Sequence, residues 1–524
     1  MTKKNFLFFS FSILITVTML GQNQIDGNLL HLSELTLDKS PLIQRNRLQI
    51  DQAEANFRNQ RSVFDYELSS GINFNKNKLT LFDADPRSQI LSEDLETNST
   101  GVSLALQKRF RTGLIANISA DYSRVSDNFP LNRFNEQVGA NLSNHASSAT
   151  FSLTQPLLRG NGLKVSTAFE KSAELAIASA EENFELNSAF ELLQMGNAYW
   201  QYLGAYKSLE IFQENEERVR NVLGITEELV KADKKPASDL FQIKADLAEQ
   251  ERQTTVAQQN LYNARLNLGR VIGISEEEGK RIGNPLDDFP TILESRFNQN
   301  IDVDKMISLA RNYRTDIKAI EKTQDGLELQ LRAAKNSVLP QLNLTGFLTY
   351  GGVAVGGGLE QFFDALGNRP GRNRIAGVNL TFSLPVNNNR AKADLASSKI
   401  AISDQQIAYE NLARNIDLNV SIALNNLKNS VVILEKAAQT LGYYQEVFNN
   451  EQVKFQNGLT TLLNLILFQE RLTFAHLEYL RAQQQFATAM LNLRFETGTL
   501  ISMDENKIAN ALSRQIFYTL PNNN

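Results

Sequence analysis

The chain has 524 residues, no cysteine, 53 basic against 58 acidic side chains and a net charge of −5. The missing cysteines exclude disulfides, thiolate metal sites, a cysteine nucleophile and an acylated N-terminal cysteine anchor. Charges of both signs are interspersed, so no basic face for nucleic acid emerges.

At the N-terminus Lys3 and Lys4 precede an apolar run over residues 6–20 that ends at Gly21. Positive charge, a short apolar core and a small residue read as a secretory signal peptide over residues 1–21. The run is about 15 residues long, short of the roughly 20 that a helix needs to cross a bilayer. No later stretch is apolar enough for a transmembrane helix, so any membrane crossing must be made of strands that alternate in character.

Beyond the leader one unit occurs twice, over residues 22–275 and 305–500, with a connector at 276–304 carrying Gly283, Pro285 and Pro290 and a tail at 501–524. Each unit opens with a polar, alanine-bearing helical stretch that enters an alternating strand. Alternating segments lie near residues 67–75, 102–107, 114–122 and 150–154 in the first unit, and near 343–350 and 377–382 in the second. Polar loops over residues 77–98, 126–148 and 351–374 separate them; the GGVAVGGG run from Gly351 reads as loop, since no GK[ST] follows it to hold a phosphate.

After Pro156 and Pro385 come proline-free helical segments over residues 164–231 and 391–456, each roughly 100 Å long at 1.5 Å per residue. A turn follows each, at residues 232–237 and 456–461, and then a second helix. Phe468, Leu472, Ala475, Tyr479, Ala482, Phe486, Ala489 and Leu493 step by four and three alternately. So do Leu192, Met195, Tyr199, Tyr202, Tyr206 and Leu209, and Leu424, Leu427, Val431, Leu434, Ala438 and Leu441. An average step of 3.5 marks coiled-coil seams.

Four to six strands cannot close a membrane barrel, and open edges in lipid would leave backbone groups unpaired. Closure therefore requires several copies of the chain. The fold class expected from the residues is an α+β membrane protein: a duplicated unit giving long α-helical coiled coils plus strands for a β-barrel shared between copies.

The segments QPLLRG at 155–160, SVLPQLNLTG at 337–346, FQNGLTTLLNLILFQE at 455–470 and KADKKPASDLFQIKADLAE at 231–249 resemble, in this order, the repeated signatures of the TolC outer-membrane efflux family. The resemblance covers nearly all of the mature chain. It implies a homotrimer in which each chain gives four strands to a twelve-stranded outer-membrane barrel, which completes the expected fold class as a long α-helical coiled-coil periplasmic barrel plus a trimeric outer-membrane β-barrel. A periplasmic tunnel of packed helices and an equatorial layer made by the connector and the C-terminal segment complete it. It further implies a passive duct without cofactor or catalysis, partnered by a periplasmic adaptor (membrane fusion) protein, an inner-membrane pump and outer-membrane lipid. One departure leaves the strand number open: residues 107–122 add alternating material that reads as an extra hairpin.

The same resemblance places the two helix-to-helix turns at the periplasmic end, as adaptor-docking turns carrying Lys234, Lys235, Gln456, Gly458 and Leu459. The family's aperture acids follow the second turn; here Asn464 and Leu467 occupy those positions, and Asp239 follows the first turn. The expected aperture residues are thus Asp239, Asn464 and Leu467, with Lys234 or Lys235 as partner to the acid. His31, His145 and His476 show no metal-ligand spacing, and no GxSxG elbow is present. The competing reading is a periplasmic coiled-coil scaffold or adaptor without a pore, which has no need of strands ahead of each coil.

Overall fold

The computed structural model describes residues 24–89, 94–129, 143–298, 300–356, 360–367, 372–501 and 513–521. The signal peptide lies outside them, as does the centre of the 126–148 loop.

In chain order the elements are α1 (Leu29–Lys39), α2 (Pro41–Ser62), β1 (Tyr66–Leu79), β2 (Leu95–Arg109), β3 (Ile115–Asp127), β4 (Ser143–Pro156), the one-turn α3 (Leu163–Ser166), α4 (Ala168–Lys231), α5 (Ser238–Ile272) and α6 (Glu276–Lys280). The second half runs α7 (Val303–Tyr313), α8 (Thr315–Ser337), β5 (Gln341–Gly356), α9 (Gln361–Gly367), β6 (Arg372–Ser383), α10 (Asn389–Gln456), α11 (Leu462–Glu496) and α12 (Arg514–Tyr518). Helix, strands, long helix and second helix thus recur, with 64 and 68 residues in the long helices. The described residues form two compact units: a helical unit drawn from those up to 46, within 185–314 and from 416 on, and a sheet unit drawn from those within 47–184 and 315–415.

Helix ends are set locally. The side chains of Asn28, Asp302 and Thr461 accept from the second or third backbone N–H of α1, α7 and α11, satisfying donors that a helix start leaves free. The acidic run 276–278 forms the first turn of α6, closed by a capping box between Ser275 and Glu278. Gly498 ends α11 at φ +68°, and a Cβ there would lie 2.8 Å from the backbone N of Arg314, so only glycine fits.

The helical unit is built on the coiled-coil seams. Leu192, Met195, Tyr199 and Tyr202 of α4 and Leu472, Phe486 and Leu493 of α11 are fully buried. The α10 seam holds through Leu424, Leu427, Val431 and Leu434 but not at Ala438, which is exposed. The connector and C-terminal segment join this core: Ile282, Phe289, Phe517 and Tyr518 pack with Trp200, and Arg494 donates to the carbonyls of Thr519 and Leu520 at 2.6 and 3.1 Å.

Among the described residues of the sheet unit six strands lie antiparallel in the order β1-β2-β3-β4-β5-β6. The additional alternating material over residues 107–122 thus belongs to a β2–β3 hairpin, beyond the four strands that the family resemblance implied. The glycine run is a correction: residues 351–356 belong to β5 rather than to a loop. Gly351 sits where a Cβ would fall 2.6 Å from the carbonyl O of Ser147, so glycine here permits close approach of β4 rather than a turn. The strands also extend past their alternating cores, so the intervening loops are shorter than the sequence suggested.

Candidate functional site

Because side chains alternate along each strand, the registers decide which share a face. Tyr66 pairs with Lys108, Lys108 with Ala116, Ala116 with Leu153, Leu153 with Gly346 and Gly346 with Val378. One face therefore carries Leu68, Ile72 and Phe74, then Val102, Leu104 and Leu106, then Ile118, Phe151 and Leu153, then Leu344, Leu348, Val378, Leu380 and Phe382. Every one of these is exposed, Phe74 by 76% and Leu380 by 63%. The opposite face carries Ser69, Asn73, Ser103, Asn117, Ser119, Asp121, Ser148, Thr150, Ser152, Thr345, Thr349 and Asn379. On it Thr150 bonds Thr349 and Thr154 bonds Thr345, at 2.9 and 3.0 Å. Phe347, Val353, Val355 and Ile375 share this face, which is otherwise small and polar; a sheet with one apolar and one mainly polar face separates lipid from water.

Toward the loop ends the apolar face turns polar. Lys76 and Lys78 meet Glu96 and Asp94 at 3.1 and 3.4 Å, and Arg124 donates to Ser143. There α9 covers the face, with Ser147 donating to the Phe362 carbonyl at 3.0 Å and His145 held between Tyr122 and the Gly356 carbonyl at 2.7 and 3.0 Å. His145 is thus a packed, hydrogen-bonded group, and among the described residues no cluster able to hold a metal occurs.

At the other end of the sheet the β2–β3 hairpin turn is anchored to three segments. Arg111 donates to Glu170 of α4 at 2.8 Å and lies 5.0 Å over the Phe64 ring, the Lys108 ammonium donates to the Phe64 carbonyl, and Gly162 donates to the Thr112 carbonyl. The hydrogen bond from Arg111 holds the Glu170 carboxyl below its usual range.

Within the helical unit the structure brings the turns at residues 232–237 and 456–461 together. Lys235 donates to the Thr460 carbonyl at 2.7 Å and sits 5.1 Å over the Phe455 ring. Thr460 donates to Glu451, which also receives Lys454 at 3.1 Å; the Thr460 hydroxyl is the main cause of the lowered Glu451 pKa. Gly458 makes its turn at φ +73°. Gln456, Gly458 and Leu459 are exposed, Leu459 by 77%. Asn464 donates its backbone N–H to Thr461, the α11 cap, and Leu467, one turn on, is 40% exposed. Asp239 lies partly exposed in the first turn of α5. The expected lysine partner does not reach it: Lys235 is spent on Thr460, and no ion pair of Asp239 with Lys234 occurs among the described residues.

A buried polar layer beneath this end escaped the sequence reading. The Asn215 amide of α4 donates to Gln250 of α5 at 2.7 Å and its oxygen accepts from Gln469 and Thr473 of α11 at 3.1 and 2.8 Å. Gln250 donates in turn to Asp246, whose carboxyl is pushed up by burial. The available signal was Gln469 and Thr473 one turn apart beside an apolar seam, which spacing alone does not distinguish from a solvated face.

Residues 306–499 match the family model described as outer membrane efflux protein. The match covers less than half of the chain, which is similar to that family over this segment. Its relatives include the outer membrane protein TolC of Escherichia coli K12, 22% identical over 381 residues, which are 72% of this chain and 74% of TolC. In structure the chain is similar to the outer-membrane channel OprN, with a TM-score of 0.65 and 16% identity over 90% of each chain. It is also similar to the Campylobacter jejuni CmeC outer membrane channel, at 0.64 and 14% over 90% of this chain and 85% of CmeC. At such identities the structural likeness is one of fold.

Proposed function

We propose that this protein is the outer-membrane channel subunit of a tripartite efflux or type I secretion system, a passive export duct across the outer membrane and periplasm. The observation that carries this is the two-faced sheet, exposed and apolar on one side and lined with hydroxyl and amide side chains on the other. A periplasmic scaffold or adaptor would leave that apolar face in water. Three copies form the duct, repeats 22–275 and 305–500 each giving strands and a coiled coil, and cargo passes unmodified. An inner-membrane pump supplies the cargo through an adaptor docked on the turns that carry Lys234, Lys235, Gln456, Gly458 and Leu459.

Asn464, Leu467 and Asp239 line the periplasmic aperture in this reading. Leu467→Asp then sets three carboxylates around one axis, where like charges in a narrow site repel. Single-channel conductance in planar bilayers is expected to rise and to become more cation-selective. An assembled trimer that conducts like the wild type ends the aperture assignment, and a protein without conductance ends the duct.

A further inference from the structure

The sheet carries two more strands per chain than the resemblance implied, and these strands are built as membrane strands. The ladder runs without interruption from Arg109 opposite Ile115 to Thr97 opposite Asp127 and continues from β3 into β4. β2 presents Val102, Leu104 and Leu106 to the apolar face and Gly101, Ser103 and Ala105 to the polar one; β3 presents Ile118, Ala120 and Tyr122 against Asn117, Ser119 and Asp121. Their 15 and 13 residues exceed the roughly 9–11 that a tilted strand needs to cross the hydrocarbon core. The hairpin tip is fixed by Arg111, Lys108 and Thr112 to the helix and loop segments below it, so β2 and β3 are wall rather than appendage.

The edges are as informative. Among the described residues β1 and β6 end the strand order, each with no strand paired on its outer side. Six antiparallel strands put the first and last in opposite directions. Hence β6 of one copy meets β1 of the next as an ordinary antiparallel pair, with 12 residues against 14 and Val378, Leu380 and Phe382 continuing the face of Leu68, Ile72 and Phe74. One copy cannot close alone, since the smallest membrane barrels have about 8 strands.

We infer that three copies, pairing β6 to β1 in turn, close an eighteen-stranded outer-membrane barrel; this rests on the trimeric duct proposed above. With strands ~4.8 Å apart and tilted about 40°, eighteen give a backbone barrel roughly 36 Å across, where twelve give about 24 Å. The occupant of each open edge is a second copy of this chain, and the product is a wide mouth lined mainly by serine, threonine and asparagine, with Val353, Val355 and Ile375 among them.

The test uses the full chain purified from outer membranes, with its mass measured by light scattering and its barrel diameter by electron microscopy. A variant lacking residues 95–127 leaves β1 and β4 joined by their outer loops. The wild-type barrel is expected to be about one and a half times as wide as that of the variant. Cysteine pairs placed at Ile72 or Phe74 with Val378, Leu380 or Phe382 are expected to give covalent trimers, a readout that stands even if the shortened chain does not fold. A trimer with a barrel near 24 Å, or with no cross-link at any of these pairs, overturns the eighteen-strand closure and leaves the duct standing. A monomer or dimer overturns both.

Discussion

In the helical unit Tyr199, Trp200, Tyr202 and Phe486 are wholly buried, whereas in the sheet unit Phe74, Leu380 and Phe382 are 76, 63 and 62% exposed. Polar groups are distributed in the opposite sense. The helices enclose Asn215, Gln250 and Gln469 in their interior, while the strands set serine and threonine along an open face. Each unit thus suits a different solvent. One hides apolar side chains from water and the other offers them to lipid while keeping its polar face for water. The same alternation that would flag an aggregating surface in a soluble protein is here the means of crossing a membrane.

The largest effect that separates the units is expected at Phe486. Phe486→Ala opens a cavity in a packed helical core and is expected to cost about 3–5 kcal/mol, read by chemical unfolding of the detergent-solubilised protein with helical circular dichroism. Next comes the sheet, where neighbours in sequence face different media. Phe151→Lys puts a charge into the apolar band and is expected to cost about 2–4 kcal/mol near the bilayer midplane, measured as loss of assembly into lipid vesicles. Ser152→Lys, on the opposite face, is expected to assemble normally and shift ion selectivity toward anions. Equal losses for the two substitutions would abolish the distinction between the faces.

Much of this division was legible in the sequence, for physical reasons that differ by element. Heptad stepping located the α4 and α11 seams because burial on one stripe repeats every three or four residues. It overran at Ala438, since an alanine fits a seam and a surface alike. Strand alternation located all six strands, but their ends were cut short where polar residues such as Lys76, Lys78 and Ser143 continue the ladder outside the apolar band. The run 351–356 was misread because glycine signals a turn and a close strand contact with the same letter. At the helical turns the positions of Lys235 and Asn464 were legible, but not their bonds. That Lys235 reaches Thr460 instead of Asp239 depends on two turns far apart in the chain. The Asn215 layer depends on three helices meeting, which no local pattern encodes.

The smallest effect concerns pH and tests whether that layer keeps the helical unit sensitive to acid. His476 of α11 is half-buried beside it, and burial, reinforced by the Arg218 guanidinium, lowers its pKa from 6.5 against the weaker opposing pull of Glu214. Arg218 is itself tied to Asn215 at 3.4 Å and to Glu214 at 3.7 Å. Because the folded-state pKa lies below the unfolded one, the unfolded chain binds the proton more readily. The contribution of neutral His476 is therefore full above about pH 6.5 and is lost as pH falls through the folded value. Asp246 runs the other way: burial raises its carboxyl above 3.8, so its contribution is present at low pH and lost as pH rises through the folded value. Comparing His476→Gln with the wild type cancels that opposing arm, since Asp246 is common to both. Melting temperatures followed from about pH 7.5 to about pH 5 are expected to fall less in His476→Gln than in the wild type. The difference should be smaller than either change above. Parallel curves would mean that His476 reaches water in the folded protein and that the layer is not sealed on its side.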